Sequence, residues 1–400
     1  MSGTTQLNKS KMKGKKFFDV IFSSKHFSTS KLNVEDLLNK QEKRDPHQEK
    51  KILDAIENLR FKIESKFTKK SSLKTTFGFN ITSSINFVLN ILPKTVITTT
   101  SEFPPIIHML NKMSGIPLAY FNLSNSDDDK IIELNKSTPE REVVLLISHV
   151  SYFDGLNILN VLLDNQECLK YLSQFKLHLI IDGAHAIGNI HTIENIELLK
   201  EEFSKKIKLS SFTYIFDCYK WLRGLWGLSV VISDSQQIID THSFIYPNTK
   251  WNKETWGFTF SQPYSASFNP NLIFWFLNAN ILQKAIPTLA KQIKENTNLT
   301  NNFLSGLKNE TWRGSAILGK NTRHQTNMLS LKVPLAQHLC QYLSKNKIYS
   351  HLIGEKNLKI IKKNYHYPAV TRLCFSSNLI KREDIKELLK TLSKYDKFSK

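Results

Sequence analysis

The sequence predicts an α/β protein, a mostly parallel sheet sandwiched by helices, joined to a smaller α+β domain. Three observations predict it. From about Thr75, short apolar runs alternate with stretches of helical periodicity. The runs are continuously apolar, as in strands covered on both faces. After Asn271 the pattern changes to one long helical stretch and then a second α+β segment.

Taken in order, residues 1–30 read as a tail with one short strand. The basic stretch Lys9 to Lys16 reads as a disordered tail. Phe17-Phe18-Asp19-Val20-Ile21-Phe22 follows it, too short and too acidic for a secretory signal. Lys31–Lys70 is charged, with helical spacing at Ile52, Leu53, Ile56, Leu59 and Ile63. Strands are expected at Val96–Thr100, Ile116–Phe121, Val143–Ser148, Leu177–Asp182, Phe212–Asp217 and Leu228–Ile232. Helices are expected at Ile85–Leu92, Ile106–Met113, Gly155–Leu163 and Ile196–Phe203. The helical pattern of Leu272–Leu282 runs on to Leu304. Strands at Met328–Val333 and Ala369–Phe375 and a helix at Arg382–Tyr395 complete the chain. The expected division is 1–30, 31–270 and 271–400, with no linker between the last two.

Composition narrows the function. Four hundred residues with 40% apolar content bury a sizeable core. No apolar run is long enough to span a bilayer. Cys168, Cys218, Cys340 and Cys374 have neither metal-ligand spacing nor a disulfide framework, which fits a reducing cytoplasm. The twelve histidines show no ligand spacing either, so no metal is expected. The net charge of +20 is spread along the chain with no nucleic-acid-binding signature. It reads as solvated lysine-rich faces, and no specific nucleic-acid partner is expected.

The informative polar residues fall at or near strand ends, where ligands bind in such sheets. Asp182 ends one strand and opens Asp182-Gly183-Ala184-His185-Ala186-Ile187-Gly188; Lys220 follows the next, in Tyr219-Lys220-Trp221-Leu222. An acid and a lysine so placed are what pyridoxal 5'-phosphate (PLP) requires. The amine condenses with the cofactor aldehyde, and the carboxylate keeps the pyridine nitrogen protonated.

Ser148-His149-Val150-Ser151 with Gly155, the Asp182 motif, and the Lys220 motif with Gly224 and Gly227 occur in that order. In this ordered set the chain resembles the class V aminotransferase-fold PLP enzymes (fold type I), and within them the isopenicillin N epimerase-like branch. The resemblance extends from about residue 75 to 390. It implies that Lys220 holds the cofactor and moves the substrate Cα proton, the bound cofactor providing the setting that lowers the amine's pKa. It implies Asp182 at the pyridine nitrogen and His185 at the phenolic oxygen. Phe79-Asn80-Ile81-Thr82-Ser83-Ser84-Ile85-Asn86 is similar to the family's phosphate element, with the Ile81 and Thr82 amides and the Thr82 hydroxyl as donors. Phe103 aligns with the group that stacks on the ring. Arg372 aligns with the arginine that grips the substrate carboxylate. The resemblance implies Ser151 as a further cofactor contact and Tyr152 as a substrate contact. The resemblance also implies a homodimer.

The chain departs from the pattern at four places. Tyr152 stands where relatives carry a small polar residue or asparagine. Tyr219 stands where desulfurases carry histidine. Asp217 replaces a hydroxyl donor to the phosphate, and an acid there must turn away or be protonated. Ser261–Pro270 stands where relatives carry Gly-Thr; Ser265 or Ser267 is the substitute. Gln341–Leu373 lacks the nucleophilic cysteine of a desulfurase. The reading is a PLP-dependent enzyme acting at Cα or Cβ of an amino acid, as aminotransferase, epimerase or lyase. The alternative is a non-catalytic protein of the same fold, binding a partner through its basic surface.

Overall fold

The computed structural model describes residues 16–17, 46–92, 95–100, 102–112, 118–121, 131–132, 142–245, 251–252, 257–258, 271–308, 316–318, 323–333, 335–360, 363–367 and 369–398. The chain forms two compact units. The larger comprises Ser24–Tyr152 and Leu156–Ile293; the smaller comprises Met1–Ser23, Phe153–Gly155 and Lys294–Lys400.

The larger unit is built on a sheet of eight strands. In chain order they are β1 (Lys74–Gly78), β2 (Val96–Thr99), β3 (Leu118–Phe121), β4 (Ile131–Ile132), β5 (Glu142–Ser148), β6 (Lys176–Asp182), β7 (Leu209–Asp217) and β8 (Ser229–Ser233). Their spatial order is β1-β8-β7-β6-β5-β2-β3-β4. The run from β7 to β3 is parallel; β1, β8 and β4 are antiparallel to their neighbours. The expected mostly parallel sheet is therefore present. β1 and β4 were not anticipated: β4 has two residues, and β1 is rich in threonine with little apolar signal.

Six helices of the larger unit, in chain order, are α1 (Pro46–Glu64), α2 (Ile81–Ile91), α3 (Pro104–Lys112), α4 (Ile158–Asp164), α5 (Gln166–Leu172) and α6 (Asn195–Lys206). Period-2 alternation divides the central strands between two cores. Val143, Leu145, Ile147, Leu179, Ile181 and Phe212 face one apolar cluster with α1, α4, α5 and α6. Val144, Leu146, Ile180, Ile215 and Val231 face the other, with α2 and α3. Both faces are covered, which is why these strands read as unbroken apolar runs. The register pairs Ser148 with Asp182 and Asp182 with Ile215, so the polar strand ends gather at one edge.

The helix Asn271–Ala285, placed on sequence with the C-terminal part, packs within the larger unit against α1. Gln283 Nε2 donates to the Ala55 carbonyl at 3.0 Å, and Lys62 Nζ donates to the Gln283 carbonyl at 2.6 Å. Periodicity shows that a helix exists but not which core receives it.

The smaller unit holds a four-stranded antiparallel sheet, ordered Ala316–Leu318, Met328–Lys332, Val370–Cys374 and His351–Ile353. Leu299 and Phe303 pack on it with Leu388 and Leu392 of the helix Arg382–Phe398. The short strand Lys16–Phe17 pairs in parallel with Ile348–Tyr349. Among the described residues no helix is long and apolar enough to cross a membrane.

Candidate functional site

Asp182 ends β6, and the residue is 5% exposed. Its Oδ1 accepts from the Ala184 amide at 2.8 Å, closing a tight turn. Burial pushes its carboxyl up to about 6, although the nearby Lys220 charge and the Ala184 amide act to lower it. The turn requires glycine at 183: a Cβ there would lie 2.3 Å from Cε1 of the buried Tyr214. Tyr214 is in turn held by a 2.8 Å hydrogen bond between its hydroxyl and His149 Nδ1. His185 is buried beside the turn and accepts from Trp221 Nε1 at 3.4 Å.

Lys220 lies three residues past the end of β7, its side chain 12% exposed. Nζ sits 3.2 Å from Asp217 Oδ2 and 5.4 Å from the centroid of the Tyr219 ring. Burial acts to lower the amine's pKa, but Asp217, Tyr219 and Asp182 outweigh it and hold the amine above the ordinary lysine range. The protein alone therefore keeps Lys220 as an ammonium. Burial likewise raises Asp217, against the opposing effect of Lys220.

Asn80 caps α2, its Oδ1 accepting from the Ser83 amide at 2.8 Å. Ile81 and Thr82 are the first two residues of this helix. The Ile81 amide faces the Asp217 carboxyl, while Asp217 Oδ1 is buried without a hydrogen-bond partner. The expected phosphate donors and the anomalous acid thus meet at one helix start.

Phe103 precedes α3, and its ring centroid lies 5.0 Å from that of Tyr152. Ser151 is buried, its amide donating to the Leu156 carbonyl at 2.9 Å. Glu102, beside Phe103, was missed on sequence. It is 3% exposed and accepts from the Ser148 amide at 2.6 Å, the Ser148 hydroxyl at 2.5 Å and the Thr99 hydroxyl at 3.1 Å. Burial pushes its carboxyl up to about 7, with nearby Asp182 adding to the rise. Gln292 was missed too. Its Nε2 donates at 3.0 Å to both the Gly188 and Trp221 carbonyls, tying the Asp182 turn to the Lys220 loop. Neither residue belongs to a local motif: Glu102 follows a Thr/Ser run and Gln292 lies in a polar helical stretch, so the sequence carried no signal for either.

The larger unit thus brings together Asp182, His185, Lys220, Ile81, Thr82 and Asp217, with Phe103, Tyr152 and Ser151 on neighbouring loops. Arg372 belongs to the smaller unit, fully buried on the strand Val370–Cys374, with Ser330 and His351 as its strand partners. Ser261–Pro270, with Ser265 and Ser267, lies outside the described residues, as does the basic stretch from Lys9 as far as Lys15. Among the described residues no cluster of three metal-ligating side chains occurs.

No family model matches the chain, and no curated protein matches its sequence. Solved structures match its fold. A NifS-like protein from Rickettsia africae ESF-5 aligns with TM-score 0.61 at 12% identity, over 96% of this chain and 99% of that one. 8-Amino-7-oxononanoate synthase from Francisella tularensis aligns with TM-score 0.60 at 15% identity, over 96% and 99%. A serine palmitoyltransferase from S. paucimobilis holding a PLP–myriocin aldimine aligns with TM-score 0.58 at 12% identity, over 94% and 82%. The chain accordingly has the α/β architecture of PLP fold type I.

Proposed function

We propose that the chain is a PLP-dependent enzyme acting at Cα or Cβ of an amino acid or a similar small molecule. One observation carries the reading. A buried lysine and a buried aspartate stand at the carboxyl edge of a parallel sheet, close enough for each to shift the other's proton affinity. The residues fit the cofactor at the pyridine nitrogen, at the amine and on the ring face. The phosphate end fits at the α2 start, with Asp217 as the exception.

PLP, when bound, supplies a ring that accepts the electrons of a bond broken at Cα. The chain's own residues do the rest. Asp182 holds a proton at the pyridine nitrogen, and Glu102 stiffens the neighbouring loop through Ser148. Lys220 Nζ would hold the cofactor and would be the group that moves the Cα proton. His185 would meet the phenolic oxygen, the Ile81 and Thr82 amides and the Thr82 hydroxyl the phosphate, and Phe103 the ring. Ser151 adds a cofactor contact. By the resemblance, Tyr152 is assigned to the substrate and the Arg372 guanidinium to the substrate's carboxylate.

The ordered motifs favour the class V group and its epimerase-like branch, and with it a homodimer; sedimentation of the purified chain tests the dimer. Persulfide chemistry is disfavoured. Gln341–Leu373 holds no cysteine; Cys168, Cys218 and Cys374 are buried, burial holds the Cys218 thiol well above its usual range, and half-buried Cys340 lies on a helix in contact with Ser350. Aminotransferase, epimerase and lyase outcomes share the residues named. A panel of amino acids separates them by keto acid, inverted substrate, or ammonia and pyruvate.

Incubation with PLP should give a visible absorption band that borohydride removes, and Lys220→Ala should abolish it. A chain that stays colourless with excess PLP refutes the reading. That outcome would favour the second one, a non-catalytic protein of this fold, which Asp217 at the phosphate seat independently supports.

A further inference from the structure

Asp217 is the residue of the site that the proposed chemistry leaves unused. It ends β7 opposite Ser229, and its carboxyl lies between two groups. Oδ2 is 3.2 Å from Lys220 Nζ, and the carboxyl faces the Ile81 amide at the start of α2. Oδ1 is buried with no hydrogen-bond partner, in a residue 7% exposed. A buried polar atom without a partner is costly and calls for an explanation. Here the atom stands where a helix start and a lysine would otherwise offer an anion an unopposed positive field.

We propose that Asp217 makes cofactor loading proton-coupled. In the free protein its carboxylate stands in for the phosphate and pairs with Lys220; when the phosphate ester enters the α2 start, Asp217 takes up one proton and donates it to a phosphate oxygen. The proposal rests on the PLP reading of the site. The balance is simple. One solvent proton adds to one carboxylate oxygen, an O–H bond forms, and no other bond changes. Without that proton, the phosphate would meet two buried acids with one lysine to balance them. With it, Oδ1 and Oδ2 become one donor and one acceptor, and the acid does the work of the hydroxyl it replaces.

The groups facing Asp217 are Lys220, Tyr219 and Cys218 on its own loop, Asp182 on β6, the Ile81 amide on α2 and Ser229 on β8. Burial holds Tyr219 and Cys218 protonated, and the surrounding acids keep Lys220 charged. Asp182, at about 6, has lost its proton by pH 7, as has the second ionisation of a phosphate ester near 6. Asp217, which touches both Lys220 and the Ile81 amide, is the protein group placed to take up a proton as the phosphate arrives.

The test uses the full chain and pyridoxine 5'-phosphate, which lacks the aldehyde and cannot condense with Lys220. Its dissociation constant is measured from pH 7 to pH 9 in the wild type, Asp217→Asn and Asp217→Ser, each checked for folding by circular dichroism. Wild-type binding should weaken about ten-fold per pH unit, the slope of one linked proton. Both variants should bind with a nearly flat profile and exceed the wild type in affinity at pH 9. Unphosphorylated pyridoxine, which shares the ring nitrogen but lacks the phosphate, should show one common shallow profile in all three, and the wild-type slope is read after subtracting it. Parallel slopes in wild type and variants, or weaker binding by Asp217→Asn at pH 9, overturn the proposal while leaving the PLP reading intact. If none of the three proteins takes up PLP or pyridoxine 5'-phosphate, both fall.

Discussion

Glu102→Gln isolates the energetics of the most strongly hydrogen-bonded acid at the site. Glu102 rises from an ordinary 4.5 to about 7 because it is buried. A folded-state pKa above the unfolded value means that the folded chain keeps a proton the unfolded chain has released. The stability this contributes is complete below about pH 4.5 and is lost as pH rises through about 7. The slope over that window is about 1.4 kcal/mol per pH unit, and a displacement of about 2.5 units amounts to roughly 3 kcal/mol. Glutamine has the same shape and no charge to bury. Its carbonyl can accept from the Ser148 amide, and its amide can donate to the Ser148 hydroxyl. The variant should therefore match the wild type near pH 4.5 and exceed it by about 3 kcal/mol at pH 8. Urea unfolding of the cofactor-free protein at four pH values measures both curves, and their difference cancels every other titration. Curves that run parallel would refute the assignment of Glu102 as the proton-retaining group.

Other outcomes follow from single contacts. Gly183→Ala forces a methyl against Tyr214, whose hydroxyl is anchored to His149, and should cost about 3 kcal/mol, read as a lower urea midpoint. Gln292→Ala leaves the Gly188 and Trp221 carbonyls without their donor; a loss of about 1–3 kcal/mol is expected, with weaker PLP binding in titrations. His191, lowered to about 4 by burial, stays neutral in the folded chain where the unfolded chain takes a proton. Its stabilising effect is present above about pH 6.5 and lost as pH falls through about 4, roughly 3 kcal/mol in all, so His191→Asn should flatten the acid limb of a stability–pH curve. Buried His149, whose ring centroid lies 4.6 Å from that of His191, acts in the same direction.

Much of the central sheet was legible because its signal is local. β5, β6 and β7 read as strands since each is buried on both faces, so neither face needs polar residues. Asp182 and Lys220 were legible because each follows such a strand, and parallel strands place their ends at one edge. β1 and β4 were not legible, being polar or too short to show a period. The helix Asn271–Ala285 showed its periodicity but not its neighbours.

The site divides the same way. Residue type and position proposed Asp182 and Lys220, and the family resemblance added His185 and Thr82; folding brings these residues to neighbouring strand and helix ends. Glu102 and Gln292 emerged only from folding, since their partners Ser148, Gly188 and Trp221 are distant in the chain. The charge states were decided in three dimensions too. Burial raises Asp182 and Glu102, and Asp217 keeps Lys220 protonated, because desolvation and Coulomb energy depend on distances that no linear pattern encodes.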